Sequence, residues 1–161
     1  MQKQHSFQVY SEWKSMQGHA NKDVRKYART HEINIAGKPT LTLNTHNAAV
    51  GIQDMLNPED LLLASASSCH LMSYLYVCSL EGIIIHQYTD HAEGILEENR
   101  QGGGKFTSIT LKPEVYVENE SMVQKAEEMH HKAHEVCFIA NSLNAEVRIE
   151  PRIFIWVQTE N

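Results

Sequence analysis

The stretch from Asn57 to Glu81 constrains the fold of this chain more than any other. Asn57 has a short polar side chain that can accept from the free amides of a first helical turn. Pro58 suits the first helical position, where an N–H would have no partner. Glu59 and Asp60 then place negative charge at the positive end of the helix dipole. From Leu61 to Cys78 there is no Asp, Glu, Lys or Arg, so nearly every side of the helix is apolar or small. A helix of that kind is expected at the centre of a domain. Gly82 stands where a helix-ending glycine belongs, giving an expected helix over 58–81 with Cys69 near its middle.

The flanking segments read mostly as strands. Residues 1–56 are expected to supply N-terminal strands: one over His5 to Lys14, a loop over Gly18 to Val24, then Tyr27 to Ile35. A turn at Gly37-Lys38-Pro39 leads to a hairpin partner over Thr40 to Asn44. Residues 83–118 read as a strand hairpin. Its first arm is a long, bent strand over Ile83 to Leu96, its tip is Gln101-Gly102-Gly103-Gly104, and its second arm runs over Lys105 to Glu118. Pro113 suggests an edge or bulge in that arm. Ser121 is the expected cap of a second helix over 121–143, with an inward stripe of Val123, Ala126, His130, Ala133, Cys137 and Ala140. Closing strand structure is expected over 145–158, as Ala145 to Pro151 and Arg152 to Gln158. The order implies a single α+β domain over 1–161, two helices packed on antiparallel sheet.

Composition narrows the function. The net charge of −6 argues against nucleic acid or an anionic membrane as partner, since both need clustered Lys and Arg. Met1-Gln2-Lys3-Gln4-His5 leads into no signal-peptide core, and the Ser-rich Leu61–Val77 run, broken by His70, makes a poor membrane span. Three cysteines in such a chain are expected to be thiols of a reducing, cytoplasmic compartment.

Ten histidines require a test for metal. His130, His134 and Cys137 share a helical face, and Cys69 could complete a tetrahedral set. No close cysteine pair accompanies them, so no metal is expected. Gly102-Gly103-Gly104-Lys105 is followed by Phe106, where a phosphate loop needs Ser or Thr, and reads as a hairpin turn. Cys69 and Cys137 are the sharper pair. Helix axes pack about 8–10 Å apart and each Cα stands about 2.3 Å off its axis. Facing Cα atoms can therefore come within the disulfide range of about 4.4–6.8 Å. Ser65, Ala66, Ala133 and Ala140 are small enough to permit that approach. Spacing alone leans towards two inert buried cysteines, the default for free Cys.

Asn57-Pro58-Glu59, Ser68-Cys69-His70, Ala133-His134-Glu135-Val136-Cys137, Ile139-Ala140-Asn141-Ser142 and Glu146 to Pro151 together resemble the OsmC/Ohr superfamily of osmotically inducible and organic-hydroperoxide-resistance proteins. The resemblance covers nearly the whole chain. It implies an OsmC-like fold, with antiparallel sheets around two long central helices in an intertwined homodimer. It also implies a thiol peroxidase that reduces organic hydroperoxides with no bound cofactor, regenerated by an external dithiol or lipoylated protein. Carried over, Cys69 is the peroxidatic thiol and Cys137 the resolving thiol that closes a Cys69–Cys137 disulfide. Glu59 is the supporting acid and Arg29 the supporting arginine, with Arg25 as its rival. Phe138 stands where many members have proline.

Those roles have physical reasons. A thiol with a pKa near 8.5 is only a few per cent thiolate at neutral pH. Cys69 lies about three turns from its helix N-terminus, beyond the dipole's reach, so it needs a fixed charge such as Arg29. Glu59 precedes Cys69 by ten residues, about 15 Å of helix. If both serve one site, the helix pairs with a second copy of itself. Leu62, Met72, Tyr76 and Phe138 are expected to form an apolar surround that favours organic peroxides. His70 points about 100° away from Cys69 and is given no base role. The alternative from another class is a non-enzymatic OsmC-fold module that binds an apolar ligand or a metal between the helices.

Overall fold

The computed structural model describes residues 3–15 and 20–157. The chain falls into two compact units, Met1–Leu61 and Leu62–Asn161. In the first, β1 (Tyr10–Glu12), β2 (His31–Asn34) and β3 (Leu41–Leu43) form an antiparallel meander, with Ser11 opposite Ile33 and Glu32 opposite Thr42. All three strands are shorter than their alternation suggests. Part of the expected Gly18–Val24 loop, residues 18 and 19, lies outside the described residues, as does 158 at the end of the closing strand. The β2–β3 turn is made by Gly37, whose φ of 75° suits a residue without Cβ.

Asn44 then organises the path to the helix. Buried, it donates from Nδ2 to the Thr30 hydroxyl at 3.0 Å and accepts the Thr45 amide at 2.8 Å. Its own N–H reaches the Leu56 carbonyl at 2.8 Å. The loop folds so tightly that a Cβ on Gly51 would lie 2.5 Å from the Thr45 carbonyl oxygen. At the helix entrance, Asn57 Oδ1 accepts the Asp60 N–H at 2.9 Å while Asp60 Oδ2 accepts the Asn57 N–H at 3.1 Å. This reciprocal capping box makes Asp60, as well as Asn57, part of the cap.

Helix α1 runs Pro58–Leu80. Gly82, at φ 69°, closes it, with the Ile83 N–H on the Cys78 carbonyl at 2.9 Å. The following strands are β4 (Ile85–Asp90), β5 (Glu93–Glu98), β6 (Gly104–Leu111) and β7 (Pro113–Val117). Helix α2 (Val123–Val136), β8 (Glu146–Ile149) and β9 (Arg152–Ile155) complete the second unit.

Both arms of the expected hairpin are divided between two sheets, ordered β4-β7-β9 and β5-β6-β8. The chain changes sheet after Asp90 and again at Lys112. At this crossing Asp90 Oδ1 accepts the Lys112 N–H at 2.7 Å and Oδ2 accepts the Ser67 hydroxyl at 2.5 Å. One carboxylate thus takes the Lys112 amide at the break between the sheets and ties it to Ser67 of the helix that begins at Pro58. Pro113 begins the middle strand of its sheet, where a missing N–H is tolerated at the first residue, and is not at an edge. The register shift in this sheet falls instead between Ile85 and Gln87 on β4.

The sheets are mixed where an antiparallel arrangement was expected. β6–β8 and β7–β9 pair in parallel. Parallel neighbours need a crossover, and α2 with its exit segment provides it between β7 and the closing strands.

The second helix is shorter than 121–143. Its entrance is a 3₁₀ turn, Glu120–Met122, capped by Asn119, whose Oδ1 accepts from both the amide and hydroxyl of Ser121. It ends at Val136, and a separate 3₁₀ turn, Ala140–Ser142, follows. Val136, Cys137, Phe138 and Ile139 are all weak helix formers. The Asn141 side chain also takes the Glu135 carbonyl at 2.9 Å, which satisfies the opened end.

One core cluster gathers Tyr74, Val77 and Cys78 of α1 against Val115, Val117 and the Ala126, Met129 and Ala133 face of α2. A second centres on Ala66, Ile109 and Leu111. Contrary to expectation, α1 is not covered on all sides. Met72, Tyr76 and Leu80 are 64%, 61% and 68% exposed. By length and composition alone α1 is also long and apolar enough to cross a membrane, a test that the core helix of a folded domain passes as well.

Candidate active site

Cys69 and Cys137 are brought together, both reduced. Cys69 sits mid-way along α1, half-buried, and opens onto a cleft of about 530 Å³. Met72, Tyr76, Val136 and Phe138 give the cleft apolar walls, while Ser73, Glu135 and Asn141 add polar atoms. Leu62, expected in this surround, packs instead against the Ala66 core cluster.

Cys137 is not a mid-helix residue. It is the first residue beyond α2, with φ −74° and ψ 109°, and its N–H goes back to the His134 carbonyl. That extended conformation turns the backbone so that the Ile139 and Ala140 amides face its sulfur. The residue is completely buried. Burial pushes its thiol pKa up, and the adjacent Cys69 sulfur adds to the rise; the two amides oppose it. Cys137 is thus held protonated behind the thiol that meets the cleft.

Beside this pair lies a group that the sequence reading missed. His70 and His130 are 1% and 3% exposed, and His70 Nε2 lies 3.0 Å from His130 Nδ1. Tyr74 stacks on the His130 ring at 3.9 Å between centroids and donates its hydroxyl to the Ala126 carbonyl at 3.0 Å. Burial lowers the pKa of His70 to about 4 and of His130 to about 3; Asp90 opposes the shift at His70, and His134 reinforces it. His130 stood on the inward stripe, but periodicity alone does not name the partner of a buried imidazole. The metal set considered from sequence does not come together, and His130 Nδ1 faces His70 instead. Among the described residues no group of three or more His, Cys, Asp or Glu could hold a metal ion. The third cysteine, Cys78, is buried beside Tyr74, with its pKa pushed up to about 11 by desolvation.

Arg29 and Glu59 belong to the first unit. The Arg29 guanidinium donates to the Tyr27 carbonyl at 2.9 Å and to the Val24 carbonyl, and lies 4.1 Å above the Tyr27 ring. Arg25 is exposed in the preceding turn. Glu59 Oε1 is 3.1 Å from His46 Nδ1, and its Oε2 is buried without a hydrogen-bond partner.

Residues 51–152 match the family model of OsmC-like proteins. The chain belongs to the OsmC family. An OsmC-like protein of unknown function from Vibrio cholerae shares 30% identity with a TM-score of 0.82, over 92% of this chain and 100% of that one. The organic hydroperoxide resistance protein OhrB of Bacillus subtilis is 22% identical, with a TM-score of 0.66, over 92% of this chain and 98% of its own. An organic hydroperoxide resistance protein from Elizabethkingia anophelis is 17% identical, with a TM-score of 0.70, over 96% and 99%. At those identities the last two speak for the OsmC fold alone. No curated protein matches the chain significantly by sequence.

Proposed function

We propose that this OsmC-family protein is a cytoplasmic thiol peroxidase that reduces organic hydroperoxides. The observation that carries the reading is the order of the two sulfurs: Cys69 opens onto an apolar cleft, and Cys137 lies fully buried against it. In the first step the Cys69 sulfur attacks one peroxide oxygen. An S–O bond forms, the O–O bond breaks, and the alcohol leaves with the thiol proton, so sulfur is oxidised to a sulfenic acid. In the second, the Cys137 sulfur attacks Cys69. The S–S bond forms, the S–O bond breaks, and water leaves with the Cys137 proton. An external dithiol or lipoylated protein then reduces the disulfide, with no metal or bound cofactor taking part. Arg29 is the proposed source of the positive charge that favours thiolate, and Glu59 the acid that supports it.

Cumene hydroperoxide added to the reduced protein is expected to yield a Cys69–Cys137 disulfide, with Cys78 still a thiol, by peptide mass spectrometry. Three free thiols in folded, peroxide-treated protein would end the proposal.

The working form is proposed to be a homodimer. The bare apolar face of α1 supports this, since contiguous exposed apolar surface marks contact sites. The roughly 15 Å of helix between Glu59 and Cys69 supports it as well. Sedimentation equilibrium at micromolar concentration is expected to give twice the 18.4 kDa chain mass; a monomer there removes the dimer.

A further inference from the structure

Three hydrogen bonds along one stripe of α1 tie that helix to its neighbours, and one of them starts at the residue after Cys69. The Ser67 hydroxyl donates to Asp90 at 2.5 Å, His70 Nε2 lies 3.0 Å from His130 Nδ1, and the Tyr74 hydroxyl donates to the Ala126 carbonyl at 3.0 Å. Positions 67, 70 and 74 are spaced three and four apart, so they share one face of the helix. Around them the packing of α1 on α2 is apolar, with Val77 and Cys78 in one cluster with Ala126, Met129 and Ala133. Apolar contacts have no direction and do not single out one offset of a helix along its neighbour. A buried hydrogen bond does, because it weakens steeply when bent or stretched.

As packing, the His70–His130 contact is costly. Both rings are buried, and each leaves a nitrogen, His70 Nδ1 and His130 Nε2, without a partner. Two apolar side chains of similar shape would fill the space without that loss. Nor is the pair a store of protons, since burial keeps both rings neutral at pH 7, one donating to the other. What it supplies is position. His70 follows Cys69 on α1, and Cys137 stands where α2 ends, seven residues after His130. A disulfide needs its two Cα atoms about 4.4–6.8 Å apart with the sulfurs turned towards each other. A small slide of α1 past α2 therefore separates the sulfurs. We infer that His70 and His130 are positioning residues for closing the Cys69–Cys137 disulfide, their hydrogen bond holding the two helices at the offset where the sulfurs meet. The inference rests on the cysteine pairing of the peroxidase reading, but not on peroxide as the oxidant.

The test compares wild type with three variants. The double variant His70→Leu/His130→Met removes both polar groups together and so keeps the core paired in character while losing the hydrogen bond. His70→Gln places an amide where Nε2 stands and can restore the bond, whereas the amide of His70→Asn is too short to reach His130. In the first arm each protein is equilibrated with graded ratios of reduced and oxidised glutathione. As the S–S bond forms, two electrons and the two thiol protons pass to oxidised glutathione, giving two reduced molecules. The Cys69–Cys137 disulfide is read by peptide mass spectrometry. Its equilibrium constant is expected to fall about 10-fold in the double variant and in His70→Asn, and to stay within about threefold of wild type in His70→Gln. A double variant that is folded by circular dichroism and keeps the wild-type constant overturns the inference. If the double variant does not fold, equal constants for His70→Asn and His70→Gln overturn it. The second arm follows cumene hydroperoxide with a dimedone quench. Oxidation of Cys69 is expected to stay within about threefold of wild type while closure of the disulfide slows about 10-fold, so that sulfenic acid accumulates. A slower first step with unchanged closure overturns the inference. If peroxide leaves Cys69 a thiol, the peroxidase reading falls and the glutathione constants still decide the role of the pair. If glutathione yields no Cys69–Cys137 disulfide in wild type, both fall.

Discussion

Between pH 6.5 and pH 4 the protein is expected to lose stability on the order of several kcal/mol, and the buried His70–His130 pair is the reason. Both imidazoles are neutral in the folded state, with pKa values of about 4 and about 3, against an ordinary 6.5 once the chain unfolds. Below pH 6.5 the unfolded chain takes up protons that the folded chain refuses, so acid favours unfolding. The contribution is fully present above pH 6.5, falls as pH drops, and levels off only below the folded pKa values. A domain of this kind is stable by only about 5–15 kcal/mol, so the effect is large. Urea midpoints measured from pH 7.5 to pH 4.5 should fall steadily below pH 6.5. A midpoint that stays level down to pH 4.5 would refute the assignment. The Lys and Arg partners of the exposed Glu81 and Glu146 hold those carboxyls below their ordinary value, so what they contribute is lost mainly below pH 4.5, at the acid edge of this window.

Substitution separates the pair from the rest of the molecule. Either histidine replaced alone leaves a buried ring nitrogen without its partner, a loss of about 1–3 kcal/mol. The double variant His70→Leu/His130→Met removes both polar groups together. It should be less destabilised than the sum of the singles and should show a flatter pH profile. Each ring has a second nitrogen that is buried and unpartnered, His70 Nδ1 and His130 Nε2. The neutral form is therefore the one the surroundings can tolerate.

The second large effect concerns the two thiols. Cys69→Ser is expected to lower peroxide consumption with a small dithiol reductant at least about a hundredfold, because no other side chain on the cleft is a comparable nucleophile. With no dithiol present, Cys137→Ser should consume one equivalent of peroxide and then stop, leaving a sulfenic acid at Cys69 that a dimedone probe labels. Cys78→Ala should turn over as the parent does, since Cys78 is buried beside Tyr74 with its thiol held protonated. If Cys69→Ser kept its activity, or if Cys137→Ser never accumulated the sulfenic acid, the order of the two sulfurs would be wrong. Only the pairing of an accessible thiol with a buried one predicts different chemistry for the two serine variants.

How much was legible from residues depends on how local the cause was. The start of α1 was readable because Asn57, Pro58 and Glu59 act within one turn. Asp60 joins them within the same turn. The turn glycines Gly37 and Gly82 were readable for the same reason, since backbone strain is a property of one residue. The long arms over 83–96 and 105–118 were not readable as four strands. Their alternation continues across both breaks, and what divides them is Asp90 bonding to Ser67 and Lys112, 23 and 22 positions away. The second helix failed in a similar way. Its inward stripe continues in phase to Cys137 and Ala140, while the backbone leaves the helix at Val136 and is held by Asn141.

From its own sequence the chain determines a long, uncharged, well-capped helix with Cys69 at its centre, a second helix after Ser121, and an α+β order of elements. Those features follow from propensity, capping and periodicity, which operate over one to four residues. Only tertiary structure decided that Cys137 sits in an extended cap with two amides facing its sulfur, and that Cys69 opens on an apolar cleft. The same holds for the neutral, hydrogen-bonded pair that His70 makes with His130. Each of these depends on which side chains remote segments bring within about 3–4 Å of one another, and on how much water their packing excludes. Neither quantity is a property of any single stretch of residues.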